Sequence, residues 1–77
     1  MNGNAALVEH GTVTHIAVCD EEWAAAQNYI FITDLNSYEK SVSLGDTYDL
    51  DNEVFIPQGW SYDGTKKEFV PPPKVND

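Results

Sequence analysis

The chain is short of most features that staple or charge a small protein. Only one of its 77 residues is cysteine, Cys19, so no disulfide closes within it. No Cys/His set has zinc-finger spacing. Bases are scarce: 4 Lys and Arg stand against 13 Asp and Glu, a net charge of −9. A surface this acidic repels phosphate backbones and anionic lipid, which argues against a nucleic-acid or membrane-surface partner. No stretch approaches the ~18 consecutive apolar residues of a transmembrane helix. The opening Met-Asn-Gly-Asn-Ala-Ala has neither a charged n-region nor an apolar h-region, so no signal peptide is expected. Catalytic patterns are missing too. Ser37, Ser41, Ser43 and Ser61 have no elbow glycines or placed histidine. There is no phosphate loop, and no carboxylate pair is set for acid–base work. A non-enzyme without cofactors is the expectation.

These absences bear on stability. A chain of this length makes one domain, and such a domain buries only about 60% of its unfolded surface. Without disulfide or metal, association with other chains is the expected support.

What the sequence does contain is a repeat. Gly45-Asp46-Thr47-Tyr48-Asp49, five residues and Phe55-Ile56-Pro57 recur fourteen residues on as Gly59-Trp60-Ser61-Tyr62-Asp63, five residues and Phe69-Val70-Pro71. The shared pattern is Gly-x-(Ser/Thr)-Tyr-Asp-x5-Phe-(Ile/Val)-Pro. Each copy reads as a β-hairpin: a strand ending at Tyr, a polar turn, and a return strand carrying Phe and stopped by Pro. In the second copy Asp63-Gly64 is a turn signal. Two copies are too few for a solenoid.

Ahead of the repeats, Ala-Ala-Leu-Val-Glu (5–9) and Thr-Val-Thr-His-Ile-Ala-Val-Cys (12–19) read as strands joined by His10-Gly11 in a primed turn. The register would pair Glu9 with Thr12, Val8 with Val13 and Leu7 with Thr14. Leu7, Ile16 and Val18 would share one face, and Val8, Val13, Ala17 and Cys19 the other. Residues 1–4 should be loose. A short helix follows over 20–28, with Asp20 as N-cap, Glu21 and Glu22 in the first turn, and Asn28 in the left-handed position that ends it. Two turns do not hold alone in water, so Trp23 should anchor them on the sheet. Tyr-Ile-Phe-Ile-Thr (29–33) is the clearest strand, expected at the centre. Residues 34–37 are turn-like, and 38–44 contain an alternating Ser-Val-Ser-Leu edge strand.

The expected fold class is α+β, mainly β: an N-terminal β-hairpin, one short helix, a central strand and two hairpin-like 14-residue repeats. Residues 1–70 form a single small domain, with a hairpin-helix-strand part (1–44) and the tandem repeats (45–70). Residues 71–77 form an extended polyproline-type tail.

Three residue groups invite functional readings. His10, His15 and Cys19 could suggest a soft metal. However, His15 and Cys19 lie roughly 13 Å apart along a strand and His10 sits in a turn, so no site converges. Residues 49–53 resemble the start of a calcium loop, but the sixth and twelfth positions hold Val54 and Trp60 where Gly and Glu are needed. No metal site is expected. The aromatics of the repeats weigh the other way. Tyr48, Phe55, Trp60, Tyr62 and Phe69, with Pro71 and Pro72, are the candidate partner-binding residues, since aromatics this dense build either a small core or an interface. Tyr48, Tyr62, Phe55 and Phe69 are expected inward, with Trp60 available to a partner.

The run Ala6-Leu7-Val8-Glu9-His10-Gly11-Thr12-Val13, continuing through Ile16-Ala17-Val18-Cys19-Asp20 into Glu-Glu-Trp-Ala, resembles the opening of small tailed-bacteriophage virion and virion-accessory proteins. Those begin with an Ala-Leu-Val-Glu-Asn-Gly hairpin and an acidic, alanine-rich helix. They continue through a Gly-Asp-x-Tyr-Asp element to a closing one that runs Gly-Trp-x-Tyr-Asp-Gly, then Phe, then Pro-Pro. Here those elements are 45–49 and 59–72. His10 stands where Asn is usual, but Gly11 is kept. The resemblance covers nearly the whole chain. It implies a non-catalytic virion structural protein, made in the host bacterial cytoplasm and built in many copies into the particle beside other virion proteins. A capsid decoration or cement subunit on the major capsid protein shell is the leading expectation. A tail, baseplate or tail-fibre-attached component is an alternative, and a tail-fibre assembly chaperone is another.

Overall fold

The computed structural model describes residues 2–73. Seven strands and one helix follow in the order β1 (Gly3–Glu9), β2 (Thr12–Cys19), α1 (Glu21–Ala26), β3 (Ile30–Phe31), β4 (Thr47–Asp49), β5 (Val54–Ile56), β6 (Ser61–Asp63) and β7 (Glu68–Val70). The first five strands form one antiparallel sheet in the order β3-β1-β2-β4-β5; β6 and β7 form a separate two-stranded sheet. The fold is α+β and mainly β, as the sequence implies.

β1 begins at Gly3, so residues 3 and 4, expected to be loose, belong to the sheet. The turn from β1 to β2 is the primed one: His10 and Gly11 both have positive φ, 54° and 79°. Glu9 pairs with Thr12 and Val8 with Val13, but Leu7 pairs with His15 instead of Thr14. A β-bulge at Thr14 takes up the extra residue, and the Thr14 hydroxyl bonds the Leu7 carbonyl. Beyond the bulge the faces exchange. Ile16 and Val18 therefore lie on the side of Val8 and Val13, while Ala17 and Cys19 lie on the side of Leu7, the reverse of the expected partition.

Both faces of this hairpin bury apolar groups. One carries Ala6, Val13, Ile32 and Phe55, with Val8, Ile30, Val42 and Tyr48 packed around them. The other carries Ala5 and Cys19 under Ala24 of the helix, with Tyr29 and Phe31 alongside. Ala24 is thus the helix anchor, and Trp23 is not; Trp23 is 43% exposed. Asp20 caps the helix as expected, accepting from the Trp23 N–H at 2.8 Å. At the other end Asn28 has φ 62°. The Tyr29 N–H bonds the Ala24 carbonyl and the Asn28 N–H bonds the Ala25 carbonyl, closing a Schellman motif. The Trp23 ring lies 5.2 Å from Tyr29 and completes that clasp.

Two expected strands differ in the structure. The segment 29–33 keeps only Ile30 and Phe31 as strand, and β3 lies at the sheet edge instead of its centre. The reason is local. Asn36 bonds the Thr33 N–H and the Phe31 carbonyl through its side-chain amide, each at 2.8 Å, and so turns the chain out of the ladder. Residues 38–44 form no strand. Glu39 and Lys40 both take positive φ, 52° and 58°, which breaks the extended conformation. Val42 still packs on the core while Leu44 is exposed.

Candidate functional site

Each copy of the repeat folds as a hairpin, and the two backbones match position by position. A turn opens each one: the Asp46 N–H bonds the Ser43 carbonyl, and fourteen residues on the Trp60 N–H bonds the Pro57 carbonyl. Gly45 and Gly59 supply the positive φ this turn requires, 89° and 80°. Tyr48 then pairs with Phe55, and Tyr62 with Phe69. The ring centroids are 4.8 Å apart in the first pair and 4.9 Å in the second. Such cross-strand aromatic pairs contribute about 0.5–1.5 kcal/mol beyond their buried area.

The hairpin ends match as well. Asp49 accepts from the N–H groups of Asp51 and Asn52, and Asp63 from those of Thr65 and Lys66. Glu53 and Lys67 both take φ 56° before the return strand. The connection is therefore a four-residue loop capped by Asp, not the Asp63-Gly64 primed turn expected from the dipeptide. Gly64 has another use. A Cβ there would stand 3.0 Å from the Asn52 carboxamide, so its small size lets the two loops meet.

The surroundings of the two hairpins differ. In the first, β4 joins β2: the Tyr48 N–H bonds the Gly11 carbonyl, the Val13 N–H bonds the Asp46 carbonyl, and the Gly45 N–H bonds the Val13 carbonyl. Its other edge is closed where the Phe55 N–H bonds the Asn36 carbonyl at 2.7 Å. Phe55 is 1% exposed. The buried Asp46 carboxylate accepts from the N–H groups of Ser43 and Gln58, which ties the start of the second copy to the first.

The second hairpin stands outside this sheet. It leans on Tyr38, whose ring lies 5.0 Å from Trp60 and 5.8 Å from Phe69. Tyr38 is itself 40% exposed, and Trp60, Tyr62 and Phe69 are half-buried. Tyr38, Trp60, Tyr62 and Phe69 thus form an aromatic cluster at the surface. Pro71 and Pro72 extend from it as exposed, irregular chain. The expected polyproline tail runs on into residues 74–77, which lie outside the described residues.

Among the seven sequence candidates, Tyr48 and Phe55 belong to the core. Trp60, Tyr62 and Phe69 share the surface cluster. Tyr62 and Phe69, both expected inward, are only half-buried there, because among the described residues the rings that pack on Phe69 are Tyr62 and the partly exposed Tyr38. Tyr38 and Asp46 escaped sequence reasoning. Tyr38 lies in an irregular loop that gives no period. Asp46 had one signal: within the Gly-x-(Ser/Thr)-Tyr-Asp opening it is the variable position, Asp in one copy and Trp in the other.

Two titrations are displaced at the first hairpin. Burial raises the Tyr48 phenol above its ordinary value, and the neighbouring carboxylates of Glu53 and Asp49 push the same way. The Asp49 carboxyl is held below its ordinary range, first by the Asn52 side-chain amide and then by the backbone N–H groups of Asn52 and Asp51. Those bonds occupy the acidic loop internally. Among the described residues no three His, Cys, Asp or Glu side chains converge on a common point. No helix among them is long and apolar enough to cross a membrane.

No protein-family model matches the chain, and no curated protein or solved structure matches it.

Proposed function

We propose that this chain is a non-catalytic structural protein of a tailed-bacteriophage virion, acting as a capsid decoration or cement subunit on the major capsid protein shell. The observation that carries the reading is the second hairpin. It is a complete copy of the first, but its Tyr, Phe and Trp form a surface cluster while the first copy's pair fills the core. Half-exposed Trp and Tyr beside an exposed Pro segment are the material of protein–protein contacts. The net charge of −9 suits a basic patch on a larger assembly. The phage resemblance supplies the kind of assembly.

Quantitative mass spectrometry of purified particles tests this. The chain is expected in the particle at the copy number of the shell lattice. A copy number matching a tail, baseplate or fibre would move it there, and absence from the finished particle would make it an assembly chaperone. Trp60→Ala should reduce incorporation while costing the free domain about 1 kcal/mol, the scale of one aromatic pair. Thermal melting by circular dichroism checks the second half. A loss of about 3–5 kcal/mol would mean that Trp60 serves the core.

A further inference from the structure

We propose that the open β6 edge of the second hairpin pairs with the outer edge of β2 in a second copy of this chain, at Ile16 and Val18. The inference starts from the repeat. In the first hairpin three backbone groups of the docking edge are bonded: the Gly45 N–H, the Asp46 carbonyl and the Tyr48 N–H. Their counterparts fourteen residues on are the Gly59 N–H, the Trp60 carbonyl and the Tyr62 N–H. Among the described residues none of these has a hydrogen-bond partner, and β6 pairs only with β7. The second hairpin therefore presents the same edge with nothing against it.

The first hairpin also shows what such an edge takes. Its partner is the end of the β1–β2 turn and the start of β2, offering one outward carbonyl (Gly11) and, two residues on, an outward N–H and carbonyl (Val13). β2 offers that arrangement a second time. β2 pairs with β1 along its length except at the Thr14 bulge, and among the described residues the segment 45–48 covers its outer edge no further than Val13. The Ile32 N–H bonds the Asn4 carbonyl, so Asn4 and Ala6 turn their polar groups toward β3, and Ala5 and Leu7 turn theirs toward β2. Ala17 and His15, opposite Ala5 and Leu7, therefore face β1. Ile16 and Val18 between them direct their N–H and carbonyl groups outward. Ile16 thus stands as Gly11 does and Val18 as Val13 does, two residues apart in the same sense. Val18 is 76% exposed and Ile16 37%, so this stretch of the β2 edge is accessible to a partner. Pairing would place the Tyr62 N–H on the Ile16 carbonyl and the Val18 N–H on the Trp60 carbonyl, antiparallel as in the first hairpin. Because donor and acceptor edges differ, the contact is heterologous and propagates into rings or filaments.

This does not rest on the virion reading, since self-association is measured with no shell present. Sedimentation velocity on the full chain, from about 10 µM to about 1 mM, covers the window for a small contact. Salt near 0.15 M screens the repulsion between acidic copies. The wild type should grow in mass with concentration beyond a dimer. Val18→Pro removes an outward N–H that the β1–β2 ladder does not use, and Tyr62→Pro removes the one on β6. Each variant alone should remain a monomer. Mixed, they should form a one-to-one dimer and stop, because each retains the edge the other lost. If Val18→Pro disturbs the circular dichroism spectrum, Val18→Lys blocks the same edge from an exposed side chain. A wild type monomeric at 1 mM overturns the proposal. So does a folded Val18 variant that still associates, or a mixture that yields no dimer.

Discussion

The two hairpins, β4–β5 and β6–β7, share a sequence pattern, an opening turn, an aromatic cross-strand pair, an Asp-capped loop and the same left-handed position. They do not share a place in the molecule. The first is bonded on both edges and its Phe55 is in the core; the second touches the rest of the domain through Tyr38 and through the meeting of Gly64 with Asn52. A local conformation can therefore be complete without being buried. What separates the copies is what lies beside them, together with two positions, Asp46 against Trp60 and the buried Val54 against the exposed Glu68.

Mutations should affect the two hairpins unequally. Phe55→Ala should cost about 3–5 kcal/mol, because it empties the centre of the main core. Phe69→Ala should cost about 1 kcal/mol, the scale of a half-exposed ring pair. Urea unfolding followed by circular dichroism measures both, and equal losses would erase the distinction between the hairpins. Asp46→Ala comes next, at about 2–3 kcal/mol, since it strips a buried carboxylate from two backbone N–H groups. The same method reads it.

The opening turns differ in the space around their glycines. Gly45→Ala and Gly59→Ala each force a side chain into the left-handed region, at about 1–2 kcal/mol. Gly45→Ala should cost more, because its Cβ meets the Gln58 carboxamide while the space at Gly59 is open. A larger loss at Gly59 would show the second hairpin to be the more constrained.

The smallest effect is in pH. The Asp49 carboxyl is lower in the folded state than unfolded, so its contribution is fully present above the unfolded value. It fades as pH falls through the folded value. Asp49→Asn should flatten that acid limb slightly in melting curves taken across the carboxylate range. Because Asp49 is on the surface, salt should weaken the difference.

Much of the local structure was legible in the residues. His10-Gly11, the Asp20 cap, Asn28 and both hairpins follow from chemistry within a few positions of each element. The Thr14 bulge, the early end of β3 and the loop 38–44 were not. Each depends on a specific bond or backbone conformation that periodicity does not show: the Leu7 carbonyl for Thr14, the Asn36 carboxamide for β3, and consecutive left-handed residues for a segment whose Ser-Val-Ser-Leu alternation looks like strand. For the candidate surface, the half-exposed position of Trp60 was legible. Its neighbour Tyr38 was not, because the loop that brings Tyr38 there has no period.

The repeat marks the division. By itself the sequence determined that two fourteen-residue units fold alike, since turn, strand pair and cap are satisfied by bonds within each unit. Only the tertiary structure decided which unit joins the sheet. β2 exposes one Gly11–Val13 edge at the end of its turn, and the copy carrying Asp46 fills it. Among the described residues the other copy, with the same backbone, is left with its edge open and its aromatics on the surface.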